Sequence, residues 1–251
     1  MPEDDYFHND PNIFYTETNV VGEDTETIAI GCTCSENSQC QNENESCQCI
    51  EMSGGILNYT SDGKLIVKEN PIFECRPLCQ CENCSNRVVQ NGPVSSLVVK
   101  DFGTKGLGLI CRTPISKGSF VCEYAGELLS VQMAKERSKK DKMNYILYIV
   151  ENFKNEKRIF AIDPTIIGNI GRYINHSCDP NLSKHLVRVD TMYPRVALVA
   201  KKDIAAGTEL TFDYGSQENK YSSSNSEESI PGKKCFCKSE KCQGFLPFYE
   251  F

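Results

Sequence analysis

Cysteine constrains this chain more than any other residue type. The 251 residues include 15 cysteines, an odd number, and four pairs of cysteines are separated by a single residue. These pairs are Cys32/Cys34, Cys47/Cys49, Cys79/Cys81 and Cys235/Cys237. Cysteines so close in sequence are poorly placed to form a disulfide with each other, but they can bind one metal ion together. The spacing therefore favours metal binding over the alternative, a secreted disulfide framework.

The amino terminus points in the same direction. Residues 1–5, Met-Pro-Glu-Asp-Asp, are acidic and no apolar stretch follows them. A secretory signal has a basic start and an apolar middle instead. We therefore expect an intracellular protein with reduced thiols. No apolar run approaches the roughly 18 residues of a membrane span, so no membrane association is expected.

Nine of the cysteines form a dense amino-terminal group: Cys32, Cys34, Cys40, Cys47, Cys49, Cys75, Cys79, Cys81 and Cys84. Zinc takes four ligands, so two separate sites would leave one cysteine over. Three zinc ions need twelve ligand positions, which nine cysteines supply if three of them each bridge two ions. The alternative is that some are ordinary buried cysteines. Since the segment between 49 and 75 has few apolar residues, we expect metal, not a core, to hold this region together.

Residues 95–215 have the pattern of a mostly β domain. Short runs rich in β-branched and aromatic residues, bounded by turn-forming residues, occur at 97–99, 118–124, 145–150, 158–163, 187–189, 195–200 and 209–214. One helix is predicted at about 130–140, where Ser130 can cap its start. The predicted organisation is an irregular leader (1–27), a cysteine-rich module (28–92), the β domain (93–215), a flexible linker (216–232) and a cysteine-containing tail (233–251).

The formal net charge is −7. Binding to nucleic acid phosphates needs a face rich in lysine and arginine, so no direct, sequence-specific nucleic acid binding is expected. The negative charge suits a basic partner such as a lysine-rich peptide. It also serves plain solubility, and charge alone does not separate these two interpretations.

Four blocks of the β domain resemble those of SET-domain lysine methyltransferases. Residues 172–181, Arg-Tyr-Ile-Asn-His-Ser-Cys-Asp-Pro-Asn, resemble the family signature. Lys-Gly-Leu-Gly at 105–108 resembles the Gly-rich cofactor loop, and Glu-Tyr-Ala-Gly-Glu at 123–127 and Glu-Leu-Thr-Phe-Asp-Tyr-Gly at 209–215 resemble two further blocks. The nine-cysteine region is similar to the pre-SET module of the Su(var) subfamily, and the last cysteines to a post-SET module. The resemblance covers about residues 28–249. It implies SET-domain β-sheets with a knot-like C-terminal threading, flanked by zinc–cysteine modules.

The resemblance also implies the binding residues. The cofactor is S-adenosylmethionine, and the matching positions are Lys105, Gly106, Leu107, Gly108, Tyr145, Arg172, Asn175 and His176, with Phe236 as a candidate neighbour of the adenine. Residue type alone leaves other interpretations open. The Gly-x-Gly could form only a turn, His176 could be an ordinary histidine of the core, and Phe236 could serve only packing. The family often has Trp at the position of Leu107. This chain therefore departs from the family pattern at one wall of the cofactor pocket, since Leu packs but cannot stack.

A fourth zinc site is implied in the post-SET module. Its three local cysteines need one more ligand, and the resemblance supplies it from the signature block: the set is Cys178, Cys235, Cys237 and Cys242. This ion would tie the C-terminal tail over the cofactor site. Cys111 and Cys122 remain, and we expect both to be core or unligated thiols.

Methyl transfer from a sulfonium to an amine is an in-line displacement that needs a bound donor, a neutral amine and alignment. A lysine with an ordinary pKa of ~10.4 must lose its proton, which burial beside the positive sulfonium assists. Tyr214 and Tyr124 match the family's active-site tyrosines, which orient the amine and line its channel; for Tyr124 the alternative is a core aromatic. Phe212 matches the position that tunes how many methyl groups fit, and a Phe there predicts di- or trimethylation.

Together these features predict a histone-lysine N-methyltransferase that uses S-adenosylmethionine and zinc and acts in the nucleus, on the chromosome. The subfamily resemblance favours lysine 9 of histone H3, with the H3 tail or the nucleosome as substrate. The alternatives are lysine 36 of histone H3, a non-histone protein, or a catalytically silent zinc-rich chromatin-binding module. Intact Tyr214, Asn175 and His176 argue against silence, whereas Leu107 mildly favours it. The oligomeric state stays open.

Overall fold

The computed structural model describes residues 12–22, 25–29, 31–34, 40, 47–67, 69–81, 84–94, 96–140, 145–153, 156–215 and 233–247. The start of the predicted leader and the predicted linker at 216–232 lie outside these ranges. The strands are β1 (Phe14–Tyr15), β2 (Ile72–Phe73), β3 (Leu97–Asp101), β4 (Leu107–Cys111), β5 (Phe120–Tyr124), β6 (Gly126–Leu129), β7 (Leu147–Phe153), β8 (Glu156–Gly168), β9 (Asn175–His176), β10 (Leu182–Arg188), β11 (Arg195–Ala200) and β12 (Glu209–Phe212). The fold is mostly β, as predicted.

Helices are few and short in the described chain. They are α1 (Gln48–Met52) and α2 (Val131–Lys140), with single 3-10 turns at Val89–Asn91, Gly103–Lys105 and Ile170–Tyr173. The helix predicted at about 130–140 is confirmed as α2. Its Ser130 hydroxyl accepts a hydrogen bond from the backbone N–H of Met133 at 3.3 Å, which satisfies one free donor of the first turn. None of the described helices has the length and apolar character to cross a membrane.

The strands form three small sheets. In the first, β8 pairs antiparallel with β6 and β7, and its end pairs parallel with β1. The second has the order β2-β10-β11-β5, and the third the order β3-β4-β12-β9. The strand predicted at 187–189 is longer than expected, because β10 begins at Leu182 and pairs with β11 up to Val187.

The main apolar core joins all three sheets. Its buried members include Leu109 on β4, Val121 on β5, Ile162 on β8, Leu198 on β11 and Phe212 on β12. Cys111 and Cys122 are fully buried within this core, as the sequence predicted. The core therefore includes Phe212, a residue of the closing block in which the sequence predicted functional residues.

The segment between the two cysteine groups corrects one expectation. We expected metal alone to hold it, but Tyr59, Leu65 and Ile72 are buried in an apolar cluster shared with Phe120 on β5 and Val187 on β10. The buried Glu74 carboxylate also accepts a hydrogen bond from the Tyr59 hydroxyl at 2.6 Å. Few apolar residues suffice here because the segment borrows its core from the neighbouring β domain, which composition by segment cannot reveal.

A buried ion pair joins the first two sheets. The Arg188 side chain is fully buried, and its Nη2 donates to both carboxylate oxygens of Glu151, at 2.7 and 2.6 Å. The guanidinium also lies 4.2 Å from the Phe153 ring centroid and 5.5 Å from that of Phe73. Because Phe73 belongs to β2 and Phe153 to β7, this one arginine connects the cysteine-rich module to two sheets of the β domain.

Removing one partner of this pair should be costly. We expect Glu151→Ala to lower the free energy of unfolding by about 3–5 kcal/mol, because it leaves a buried guanidinium uncompensated. The matched control is Glu156→Ala, whose ion pair with Arg158 is exposed at 71% and 41% and should cost less than about 1 kcal/mol. Urea denaturation of both variants measures the difference, and equal effects would contradict the role given to Arg188.

Candidate active site and metal centres

The closing strand brings three distant sequence blocks together. On one side β12 pairs antiparallel with β4, with Leu210 opposite Leu109. On the other side it pairs parallel with β9, with Phe212 opposite His176. The Gly-rich block, the signature block and the closing block therefore lie side by side, although about 100 residues separate the first from the last. This pairing places the predicted cofactor residues beside the predicted catalytic ones.

Three aromatic side chains form the centre of the site. The Phe212 ring is 1% exposed, and its centroid lies 5.7 Å from that of Tyr124 and 4.9 Å from that of Tyr214. The Tyr214 hydroxyl donates to the carbonyl of Ile174 at 2.9 Å, and the Tyr124 hydroxyl donates to the carbonyl of Tyr145. The structure thus brings together all three residues that the sequence assigned to catalysis.

Both phenols are held in the neutral form. Burial raises the pKa of Tyr214 and that of Tyr124 above the ordinary value of a phenol. Each hydroxyl therefore stays protonated at neutral pH and keeps donating to its carbonyl. Its oxygen retains lone pairs that can accept a hydrogen bond from an amine N–H. The pair can orient an amine but cannot act as its general base.

A polar network links the Gly-rich block to the closing strand. The Asn175 amide donates to the Leu107 carbonyl at 3.2 Å and to Glu209 Oε1 at 3.1 Å. Glu209 Oε2 in turn accepts from Lys105 Nζ at 2.6 Å. Sequence reasoning missed Glu209 as a site residue. Its signal was an acidic residue at the start of the closing block, on a strand whose other residues are buried.

His176 turns its side chain inward. The imidazole is 1% exposed, and burial lowers its pKa although the Asp213 carboxylate opposes this effect. Its Nδ1 accepts from the backbone N–H of Tyr214 at 3.2 Å, so the neutral ring carries its proton on Nε2, which lies 3.3 Å from Cys178 Sγ. His176 thus joins Tyr214, the predicted catalytic tyrosine, to a predicted metal ligand, in addition to its predicted contact with the cofactor.

The remaining predicted cofactor residues differ in their surroundings. The Arg172 guanidinium lies 4.5 Å from the Tyr145 ring centroid, and its Nε donates to the Pro164 carbonyl at 3.0 Å. Gly106 has a φ of +77°, a conformation that glycine adopts without strain. Leu107 and Phe236 are exposed at 42% and 44%, so each presents apolar surface to solvent. Such surface suits an aromatic or aliphatic ligand.

Four cysteines converge beside His176. The Sγ atoms of Cys178, Cys235, Cys237 and Cys242 all lie within 4.8 Å of one another. Those of Cys178 and Cys235 are 3.8 Å apart, and a tetrahedral zinc with Zn–S bonds of ~2.3 Å places its sulfurs about 3.8 Å apart. The donor set and the spacing therefore fit a zinc ion, with the ligand from the signature block that the resemblance implied.

The nine amino-terminal cysteines are all buried in one cluster. Groups of four with mutually close sulfurs share members: Cys32 belongs to three such groups, and Cys40, Cys47 and Cys75 to two each. Sulfur separations of 3.9 Å occur for Cys32 with Cys40 and with Cys75. Shared membership is what bridging thiolates require, so the arrangement fits a multinuclear metal cluster better than separate four-ligand sites.

Comparison with protein-family models defines the class of protein. A model of the SET domain matches residues 106–215, and a model of the Pre-SET motif matches residues 3–87. The crystal structure of the methyltransferase domain of human histone-lysine N-methyltransferase SETMAR superimposes with a TM-score of 0.78 at 35% identity, covering 94% of this chain and 89% of that one. KRYPTONITE in complex with mCHH DNA, H3(1-15) peptide and SAH gives 0.71 at 26% identity, covering 95% and 48%. The fold and site are those of a SET-domain protein.

Sequence relatives narrow this class. The probable histone-lysine N-methyltransferase set-23 of Caenorhabditis briggsae is 40% identical over 86% of this chain and 87% of that protein. SETMAR of Mus musculus is 38% identical over 93% and 80%, and SUV39H2 of Xenopus tropicalis is 34% identical over 98% and 60%. The chain belongs to the SET-domain histone-lysine N-methyltransferases of the Su(var) type. Its residues 120–127 and 163–172 resemble SETMAR in particular, in agreement with these matches.

Gly108 is a sensitive point of the site. A Cβ atom there would lie 2.5 Å from the Phe102 ring and 2.7 Å from Asn175 Nδ2, both closer than real contacts allow. We expect Gly108→Ala to lower the free energy of unfolding by about 1–3 kcal/mol through overpacking. Gly22→Ala is the control, because nothing lies within 4 Å of its Cβ position. Urea denaturation compares them, and an unchanged Gly108→Ala variant would refute this packing.

Proposed function

We propose that this chain transfers methyl groups from S-adenosylmethionine to lysine 9 of the histone H3 tail, to the di- or trimethyl state, at chromatin in the nucleus. The observation that carries the proposal is the cluster of buried Tyr124 and Phe212 with half-buried Tyr214, placed by β12 against the Gly-rich and signature blocks. When bound, S-adenosylmethionine supplies an electrophilic methyl group on a positive sulfonium. The protein's own residues bind this donor and orient the acceptor amine.

The tyrosines orient the acceptor amine. Because both hydroxyls donate to backbone carbonyls, their oxygens face an incoming amine as hydrogen-bond acceptors. Two N–H groups held in this way point the nitrogen lone pair away from the phenols and toward the methyl donor. Such alignment is the main contribution a protein makes to an in-line displacement. The buried aromatic setting also disfavours the ammonium form, and the released proton goes to water.

Cofactor binding is assigned to the polar network and its surroundings. Asn175, fixed between Leu107 and Glu209, and the backbone of residues 105–108 would hold the amino-acid end of the cofactor, with Lys105 bound to the other oxygen of Glu209. Arg172, stacked on Tyr145, is a further predicted cofactor contact. The exposed apolar side chains of Leu107 and Phe236 would cover the adenine. His176 supports this region from within the core, where it holds the Tyr214 backbone.

Lysine 9 is preferred over lysine 36 because the pre-SET module and the likeness to SUV39H2 point to the Su(var) type. The likeness to SETMAR raises lysine 36 as the second candidate. A histone H3 tail is supported by the related structure whose complex includes an H3(1-15) peptide. The negative net charge suits this basic partner, and we propose no sequence-specific nucleic acid binding for this chain.

The methyl count is assigned to Phe212. We expect wild-type protein to give di- and trimethylated H3 at lysine 9, and Phe212→Tyr to shift the product toward monomethyl-lysine because an added hydroxyl fills space in the channel. Mass spectrometry of recombinant histone octamers measures the product, and octamers whose histone H3 carries arginine in place of lysine 9 or of lysine 36 locate the site.

Two further variants serve as controls. Tyr214→Phe should abolish transfer, and Phe14→Tyr, on an exposed ring, should change nothing. Methylation only at lysine 36 would overturn the proposed target.

We further propose that the cysteines bind four zinc ions, three in the amino-terminal cluster and one at the Cys178 site. Elemental analysis of protein prepared with zinc should find about four ions per chain. Cys178→Ser should lose one ion, and Cys111→Ser, in the apolar core, should lose none. Two ions in the amino-terminal cluster, in place of three, would contradict the bridged arrangement.

A further inference from the structure

Lys184 stands at a position where a lysine is unexpected. Alternate residues of a strand share a face, and Leu182 and Leu186, its neighbours on that face of β10, both pack into the main core. A charged side chain at a core-facing position is costly unless it has partners. No block of the SET resemblance includes Lys184, and the proposed mechanism does not use it.

The partners of Lys184 are parts of the catalytic centre. Its Nζ donates to the carbonyl of Gly215 at 2.5 Å and lies 5.8 Å from the centroid of the Phe212 ring. Gly215 directly follows Tyr214, and its Cα faces Pro247, so a Cβ there would lie 3.2 Å from the proline. Lys184 therefore contacts the segment where the closing block meets the C-terminal tail.

This contact completes the fixation of Tyr214. The Tyr214 backbone N–H is held by His176 and its hydroxyl by the Ile174 carbonyl. The Lys184 amine holds the carbonyl of the next residue, Gly215. The Tyr214 N–H, its hydroxyl and the next carbonyl are thus held by three separate elements, and the last of these contacts comes from a charged side chain.

The charge of Lys184 depends on its surroundings. Burial lowers the pKa of its amine to about 8, against the opposing effect of the Asp213 carboxylate. Among the described residues packed around Lys184, its partner across the sheet on β11 is the apolar Leu198. The imidazole of His176 on β9 is neutral, and the charge of Lys184 helps to lower its pKa. Asp213 is thus the negative group acting on Lys184 in this part of the chain.

We propose that Lys184 is a positioning residue for methyl transfer, whose protonated amine fixes the Phe212 ring and the Tyr214–Gly215 backbone and thereby sets the shape of the acceptor channel. The proposal rests on the proposed lysine methyltransferase function. An ammonium suits the role better than an amine, since charge-assisted hydrogen bonds are about twice as strong as neutral ones. Only the charged form makes a cation–π contact with an aromatic ring.

The sign of the pH effect follows. Below pH 8 the ammonium form predominates and both contacts are present, whereas above pH 8 the charge is lost and both weaken. The benefit of Lys184 to the reaction should therefore be largest near pH 7 and fade toward pH 9.5. Deprotonation of the acceptor lysine has the opposite dependence, but it is common to all variants and cancels in a ratio.

The experiment compares three variants with the wild type. Lys184→Met keeps the length without the charge, Lys184→Arg keeps the charge at every pH, and Lys201→Met replaces an exposed lysine as control. We expect Lys184→Met to lower kcat about 10-fold at pH 7, the loss of one hydrogen bond to a charged group, with KM for an H3 peptide unchanged. The deficit should shrink toward pH 9.5, and the di- to trimethyl ratio should change. Lys184→Arg should restore most of kcat, with no change in its ratio to Lys201→Met across this range.

Hydrogen exchange at pH 7 provides a readout independent of activity. Peptides that cover residues 209–215 should exchange faster in Lys184→Met than in the wild type, and those that cover β8 should not. An equal loss of kcat at all pH values, or unchanged exchange at 209–215, would overturn the proposal. If the wild type transfers no methyl group at all, the proposed function fails, while the exchange data still decide whether Lys184 fixes this segment.

Discussion

The pairing of β12 on both of its edges is the constraint on which the rest of the structure depends. Leu210 opposite Leu109 and Phe212 opposite His176 bring the Gly-rich block and the signature block to the same strand. Both contacts are long-range in sequence, so closing them is entropically costly until the core forms around them. The burial of Leu210 and Phe212, at 0% and 1% exposure, provides that core. The active site therefore exists only once the C-terminal strand is in place.

The sequence predicts well what depends on local pattern. Runs rich in β-branched and aromatic residues located most strands, the Ser130 cap located α2, and the cysteine spacing picked out two groups that the structure assembles as sulfur clusters able to hold metal. The family blocks located the Tyr124–Phe212–Tyr214 centre. Each of these features is set by residues near in sequence or by side chains with a single dominant chemistry, which is why a linear reading finds them.

What the sequence does not reveal depends on partners that are distant in sequence. The segment of Tyr59, Leu65 and Ile72 seemed too poor in apolar residues to pack, yet it shares a cluster with Phe120 and Val187. Glu209 and Lys184 read as ordinary charges on strands until the fold sets them beside Asn175 and Gly215. A partly buried charge has the same one-letter code as an exposed one, so only tertiary contacts separate the two.

The electrostatics of the site follow from one common cause, which is desolvation. Burial raises the pKa of Tyr124 and Tyr214 and lowers that of His176 and of Lys184, so each group is shifted toward its neutral form. An acceptor lysine that enters the same surroundings is subject to the same shift, which favours the neutral amine that methyl transfer needs. In the proposed mechanism, the aromatic cluster would thus also prepare the nucleophile without a general base. Lys184, whose pKa burial lowers to about 8, adds to this site a group whose charge changes between pH 7 and pH 9.5.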